Sequence, residues 1–405
     1  GSFLYAQVET FAHLLTGQLS KTLRNHRIAI TGAFRRQIET IDVLEWCTTS
    51  PTELLKQYFL EQGYEAVSED GESIIFTGKE KPRLKFHLAD EAGFCKRLFQ
   101  TSCSPDFLVG WEKKYPVPRV NDEEGIFQAA GIPFIPPALR ENDSMLAGFA
   151  SNGIPALIKP EDIRAVIHSH SNWSDGSNTI EEMATTLRDT GFEFLVISDH
   201  SKSAFYANGL NEERIRAQHL YVEELNQKLA PFRIFKSIEC DILNDGSLDY
   251  SNDVLATFDL VITSVHSNLK MTEEKAMSRL LGAIRNPYTT ILGHMTGRLL
   301  LSRNGYPVDH KKIIDCCAEN HVAIELNAHP RRLDMDWRWI DYALEKNVLI
   351  SIDPDAHSID GFKDTRYGVL SAQKGGLTKD RNLSSFTRAA FEEYLHQVRK
   401  LKGIE

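Results

Sequence analysis

The sequence predicts an α/β protein in which a barrel of parallel strands fills the larger C-terminal part and a small α+β domain precedes it. Three observations carry this. From about residue 163 an apolar, β-branched run recurs roughly every 30 residues, each followed by polar residues and a helix-like segment, which is the size of one βα unit. There are seven such runs, one short of the usual eight. The stretch before them mixes helical periodicity with short alternating segments, and 405 residues at 42% apolar content suffice for two or three domains with real cores.

The elements follow in order. Residues 4 to 24 carry Leu4, Val8, Phe11, Leu15 and Leu19 at helical spacing. IAITGAF reads as a strand. Ser50, Pro51 and Glu53 fit an N-cap, first-turn proline and capping-box glutamate for a helix running to about Gly63. Alternating segments to about residue 88 read as antiparallel strands. A less regular stretch with GIPFIPPALREND follows, and the Asn, Gly and Ser residues of 142 to 153 mark a boundary. The barrel strands are then IRAVI, FLVIS, RIFKSI, FDLVITSV, TTIL, HVAIEL and VLISI.

Composition narrows the class. No apolar run approaches the length of a membrane span, the opening Gly-Ser reads as a cloning remnant rather than a targeting signal, and a cytoplasmic location is expected. The six cysteines lack C-x-x-C spacing and read as reduced thiols. A net charge of −10 argues against a broad polyanion-binding surface, although bound divalent ions would make a pocket locally positive.

The strand ends carry the chemistry. The first is followed by His168, His170 and Asp175, the second by His200, the third by Glu239, the fourth by His266, the fifth by His294, and the seventh by Asp355 and His357. In a strand, His168 and His170 at i and i+2 would share a face. In a parallel barrel all these ends surround one mouth. A lone strand-end histidine is usually an ordinary polar residue, but six histidines and three carboxylates on one rim point to metal. Nine ligands are too many for one ion, and imidazole with carboxylate and no thiolate suits Zn, Mn or Fe. The remaining histidines, such as His13, His87, His219 and His329, lie in helices or away from strand ends and are read as structural.

HSHSNWSDG, SDHS, IECDILNDGSLDY, SVHS, GHMTGR, ELNAHPRRLD and DPDAHS resemble the polymerase-and-histidinol-phosphatase (PHP) domain of bacterial family X DNA polymerases over residues 160 to 380. The resemblance implies a distorted seven-stranded (βα)7 barrel at 159–405 holding two to three divalent ions, Zn2+ or Mn2+, with Fe possible. It places His168, His170, Glu239 and Asp355 on a first ion. Glu239 would bridge to a second ion held by His266 and His294, and Asp175, His200 and His357 would take a third. GAFRRQIETIDVLEW resembles that family's palm motif, which implies a nucleotidyltransferase-like palm over 1–100 and a thumb-like remnant and linker over 101–158.

The palm departs where polymerase chemistry needs carboxylates at i and i+2 on one strand face. Those positions are Val43 and Glu45, Asp42 falls on the opposite face, the motif serine is Ala33, and Lys85 stands near the place of a third aspartate. The expected function is therefore a hydrolase, a metal-dependent phosphoesterase acting on DNA 3′ ends as a 3′-5′ exonuclease or end-processing enzyme in DNA repair, without polymerase activity. The rivals are a small-molecule phosphatase of the histidinol-phosphatase kind and a non-catalytic DNA-end-binding module with structural metals. Arg298 and Lys202 are candidate charge clamps beside the catalytic group His168, His170, Glu239 and Asp355, and Arg35 and Arg36 are candidate phosphate contacts.

Overall fold

The computed structural model describes residues 1–405, which divide into two compact units, Gly1–Ala156 and Leu157–Glu405.

In the first unit the opening helix, Tyr5–Thr22, buries Val8, Ala12, Leu15 and Leu19, the stripe its spacing dictates. A two-residue pair joins β1 (Phe3–Leu4) to β3 (Thr40–Ile41). The main sheet runs β2 (Ile28–Thr31), β4 (Val43–Thr48), β7 (Arg83–Leu88), β6 (Ser73–Thr77), β5 (Glu65–Glu69). β5, β6 and β7 are antiparallel as expected, but β4 pairs with β7 in parallel, so the sheet is mixed. Its core stacks Trp46 on Phe86 with ring centroids 5.2 Å apart, and Phe59 lies against both Phe76 and Phe86. β5 is exposed throughout, and Glu65 and Glu69 at its ends discourage further strand pairing.

Two expectations need correction here. The helix after Ser50 spans Thr52–Glu61 with Pro51 at its cap; Ser50 Oγ turns to Pro51 O and the capping box does not form. The stretch from 101 to 156 is more regular than its sequence suggests, with helices Pro105–Glu112, Glu124–Ala130 and Asp143–Asn152 inside the first unit. Ser104 and Asn142 cap two of them by accepting from Phe107 N and Met145 N.

The second unit is built from parallel strands: β8 (Ala165–Val166), β9 (Phe194–Ile197), β10 (Arg233–Lys236), β11 (Glu239–Asp241), β12 (Ile262–Ser264), β13 (Ile291–Leu292), β14 (Ala323–Asn327) and β15 (Ile350–Asp353). β8, β9 and β10 form one sheet and β11 to β15 another. Only Ser237 and Ile238 separate β10 from β11, so one chain segment pairs first with β9 and then with β12. A parallel bridge from His200 to Glu239 continues the pairing across this step, and another from Ser169 to Ala356 joins the ends of the first and last strands. The strands are buried on both faces, as near-continuous apolar runs require.

Helices follow the strands with sound caps. Thr179 and Glu182 form a capping box, and Asn211, Thr272 and Asp309 each accept from the third residue of their helix. The last helix, Arg388–Lys402, places Phe391 on Phe194 (4.6 Å) and Phe235 (5.0 Å), in one cluster with Ile262, Ile291 and Ala323. Most of these begin their strands, so this helix closes the N-terminal end of the sheet. The C-terminal end is left for chemistry.

Candidate metal centre

At that end the nine side chains converge. Three sets of ligand atoms lie within 4.8 Å of one another: His168, His170, Glu239 and Asp355; His170, Asp175, His200 and His357; and His200, Glu239 and His266. His294 completes the last, with Nε2 2.9 Å from Glu239 Oε1.

Glu239, 0% exposed, is the hub. Its Oε2 faces His168 Nε2 and His200 Nδ1 at 3.3 Å and His170 Nε2 at 3.4 Å, and its Oε1 faces His266 Nε2 at 3.0 Å and His294 Nε2. Oε2 thus serves the His168 and His170 pair, Oε1 the His266 and His294 pair, and His200 adds a contact to Oε2. Asp355 Oδ1 lies 2.9 Å from His170 Nε2 and 3.3 Å from His168 Nε2. Asp175 Oδ1 lies 3.3 Å from His357 Nε2, and its Oδ2 is 3.5 Å from His200 Nε2. The rings of His170 and His200 therefore each face two groups through different nitrogens.

The backbone is shaped for this. His168 and His170 lie beyond β8 rather than within it, and His168 adopts φ 62, so the shared face expected of an extended strand is not how they meet. Asp355 is also left-handed at φ 52. Such backbone costs about 1–3 kcal/mol per residue and concentrates at functional sites. Gly176 ends the first ligand loop where a Cβ would stand 2.2 Å from His170 O.

Do these residues fit divalent ions? Four buried atoms, His168 Nε2, His170 Nδ1, His200 Nδ1 and Glu239 Oε2, have no hydrogen-bond partner. Leaving such atoms unsatisfied costs about 1–3 kcal/mol each, and ions accepting their lone pairs would remove that cost. Burial and neighbouring His200 push His170 down to about 3, leaving it neutral, as a ligand must be. Burial opposes charge on His266, but Glu239 and Asp241 outweigh it and raise the ring to about 10. An ion held there would displace a proton.

Residues the sequence reading missed hold the ligands in place. Asp241 Oδ1 lies 2.7 Å from His266 Nδ1. Glu325 pairs with His168 Nδ1 and accepts from His294 N at 2.7 Å. Asn327 donates to Asp355 Oδ2 at 3.0 Å, and Asp199 accepts from Ser171 N, Ser171 Oγ, Ser174 Oγ and Gln218 Nε2. His168, Glu325 and Asp353 make a fourth close set. There, burial and Glu325 hold Asp353 well above the carboxylate range, which suits support better than another ion. Asp241 stands two residues beyond Glu239, so strand alternation could have found it, whereas Asn327 stands two beyond Glu325, which was itself unread. Replacing Asp241 by Asn is expected to weaken metal affinity roughly 10–100-fold, read by chelator competition; unchanged affinity would show that it does not orient His266.

The expected clamps are otherwise engaged. Arg298 donates to Arg332 O at 2.9 Å and Leu333 O, and pairs with Asp336 at 3.1 Å, so it holds the 332–336 loop. Lys202 pairs with Glu212 at 2.6 Å. The cation brought to the cluster is Arg332, with Nε 4.0 Å from Asp355 Oδ2 and a buried Nη1 without a partner. In the first unit, Arg35 pairs with Glu123 at 2.7 Å and Arg36 with Glu141 at 3.0 Å, which neutralises both candidate phosphate contacts. Glu45 lies 2.7 Å from His87, and Asp42 accepts from Ser2.

No family model matches the chain. It is 34% identical over 375 residues to the DNA polymerase/3′-5′ exonuclease PolX of Bacillus subtilis, covering 87% of this chain and 65% of that protein's length. It is 25% identical over 256 residues to a probable phosphatase of Thermoanaerobacter, covering 59% of this chain and 97% of the relative. A probable phosphatase of Vibrio parahaemolyticus is 26% identical over 243 residues, 56% of this chain and 91% of its own. The PolX alignment is longer than either unit, so it spans both. The chain is thus similar to PolX and spans just under two thirds of that protein's length.

Proposed function

We propose that the second unit is a PHP-type (βα)7 barrel that hydrolyses phosphate esters with two or three divalent ions, and that its substrate is the 3′ end of DNA. The observation that carries this is Glu239, one carboxylate whose Oε2 meets His168 and His170 and whose Oε1 meets His266 and His294. The exonuclease name of the Bacillus relative and the phosphatase names of the others support the reaction class. The first unit is read as a palm whose carboxylate positions are lost over 1–100, followed by a thumb-like remnant to about 158.

Divalent ions held by the nine side chains would stabilise charge on a phosphate and lower the pKa of a nearby water toward ~7. The chain's own residues do the positioning. Asp241 and Glu325 fix His266 and His168, and Asn327 fixes Asp355. Arg332, whose Nε lies 4.0 Å from Asp355 and whose Nη1 is buried without a partner, would meet a phosphate oxygen bound beside Asp355, the role foreseen for Arg298 and Lys202. Incubating the chain with Mn2+, a 5′-labelled oligonucleotide and several phosphate monoesters tests the reading. Shortening of the oligonucleotide from its 3′ end is expected.

A small-molecule phosphatase is the second reading, favoured by probable phosphatases that match over nearly their whole length. Faster hydrolysis of a monoester than of any oligonucleotide would select it. Primer extension with deoxynucleoside triphosphates is expected to fail, because Val43 offers no ligand and Glu45 is tied to His87. Template-directed synthesis by a preparation freed of contaminating polymerase would show that the palm carboxylates lie elsewhere.

A further inference from the structure

The loop that supplies His200 also displays two aromatic rings that the metal groups do not use. Between His200 and Leu210 the chain closes on itself: Leu210 N donates to His200 O at 2.9 Å, and Ala207 N and Gly209 N both donate to Ala204 O at 3.0 Å. Gly209 is required at the neck, since a Cβ there would lie 1.8 Å from Ser201 O. Asp249 accepts from Ser203 N at 2.7 Å on one side of the loop, and Asn208 donates to Trp173 O at 3.3 Å on the other. Ala204 and Ala207 point inward and are buried. The two residues between them are thereby turned out, leaving Phe205 83% and Tyr206 66% exposed.

Their rings meet edge to face at 5.8 Å. Adjacent aromatics forgo a large apolar burial when they face water, and here a braced backbone holds them there. Their position matters as much as their exposure. Beyond its partial burial, Tyr206 lies close enough to Asp241, Glu239 and Asp175 for their charges to raise its hydroxyl above the ordinary tyrosine value. The loop that carries the rings begins at the ligand His200, closes back on His200 O through Leu210 N, and is tied by Asn208 to Trp173 in the first ligand loop, so the rings stand beside the metal groups.

We infer that Phe205 and Tyr206 form the platform on which the terminal base of a single-stranded DNA end stacks while its phosphodiester lies at the Glu239 groups. This rests on the DNA reading proposed above. Every base has a π face, so stacking selects for an unpaired end without selecting its sequence. A small phosphate monoester has no base and gains nothing from the rings.

The test uses the full chain with Mn2+ and an oligonucleotide ending in 2-aminopurine through a phosphorothioate linkage, which resists hydrolysis. Binding is expected to quench the fluorescence, with Tyr206→Phe behaving like the parent. The double variant Phe205→Ala, Tyr206→Ala is expected to lose the quench and bind about ten- to a hundredfold more weakly. An oligonucleotide with an abasic end should bind parent and double variant alike. Unchanged quench and affinity in the double variant, or an equal loss on the abasic strand, would overturn the assignment. So would a parent that binds no oligonucleotide, or a double variant whose only change is in self-association. Oligonucleotide hydrolysis, measured separately, reports on the DNA reading: hydrolysis without quench sinks only the platform, and quench without hydrolysis sinks only the reaction.

Discussion

Replacing Glu239 by Gln is expected to reduce bound metal from the proposed two or three ions to at most one per chain, and to lower phosphoesterase activity by more than the 10–100-fold typical of a supporting residue. The reason lies in charge as well as geometry. The glutamine amide keeps the size of the carboxylate but offers one acceptor oxygen instead of two, and no negative charge. Five imidazoles, those of His168, His170, His200, His266 and His294, lie within 3.4 Å of the carboxylate. Without it no negative charge stands between two neighbouring cations, so a second ion would be repelled by the first. Elemental analysis after dialysis, alongside hydrolysis assays, provides the measurement. Parent-like metal content together with parent-like activity would show that no ion bridges at Glu239.

Acidity should act on the same site. His266 at about 10 and His357 at about 9 owe their raised values to carboxylates that outweigh burial: Glu239 and Asp241 for the first, Asp175 and Asp355 for the second. Protons and ions compete for those rings, so metal uptake releases protons and weakens as pH falls. The carboxylates make the site good for either kind of cation.

How much of this was legible in the sequence depends on where each residue stands relative to the repeat. All nine converging residues could be read because each follows an apolar run, and the end of a run is a position that spacing fixes. The sixth run ends without a ligand histidine, and its Glu325, Asn327 and Arg332 went unread although they hold or face the groups. The left-handed backbone at His168 could not be read either, since nothing local marks a non-glycine residue for φ 62. Arg35 and Arg36 misled for another reason. Their partners, Glu123 and Glu141, lie 88 and 105 residues away along the chain, so only the folded packing shows that these charges are already matched. The helices between 105 and 152 are short, and Pro and Asn between them read as irregular chain when they are in fact caps and turns.

The same Glu123 carries the largest stability effect expected in the first unit. Arg140 is 0% exposed, donates to Ile135 O at 2.8 Å and lies over the rings of Phe99, Phe127 and Phe134 at 5.1–5.3 Å. Glu123 is its countercharge and pairs with Arg35 as well. Removing one partner of a buried pair typically costs about 3–5 kcal/mol, because the other charge remains without water or a counterion. Glu123→Gln should therefore lower the stability of the first unit by about that amount in urea unfolding, while Glu123→Gln with Arg140→Met should recover much of it. The pH dependence has a definite sign. Burial raises the Glu123 carboxyl, but Arg140 and Arg35 outweigh it and hold the group below its usual 4.5. The contribution is thus present above about pH 4.5 and is lost as pH falls through the lower folded-state value. The parent's urea midpoint should drop across that window, whereas the Glu123→Gln midpoint, already low at pH 7, should change less. A single variant within about 1 kcal/mol of the parent at pH 7, or a pH profile identical to the parent's, would show that the cation–π contacts and Ile135 hold Arg140 without its carboxylate.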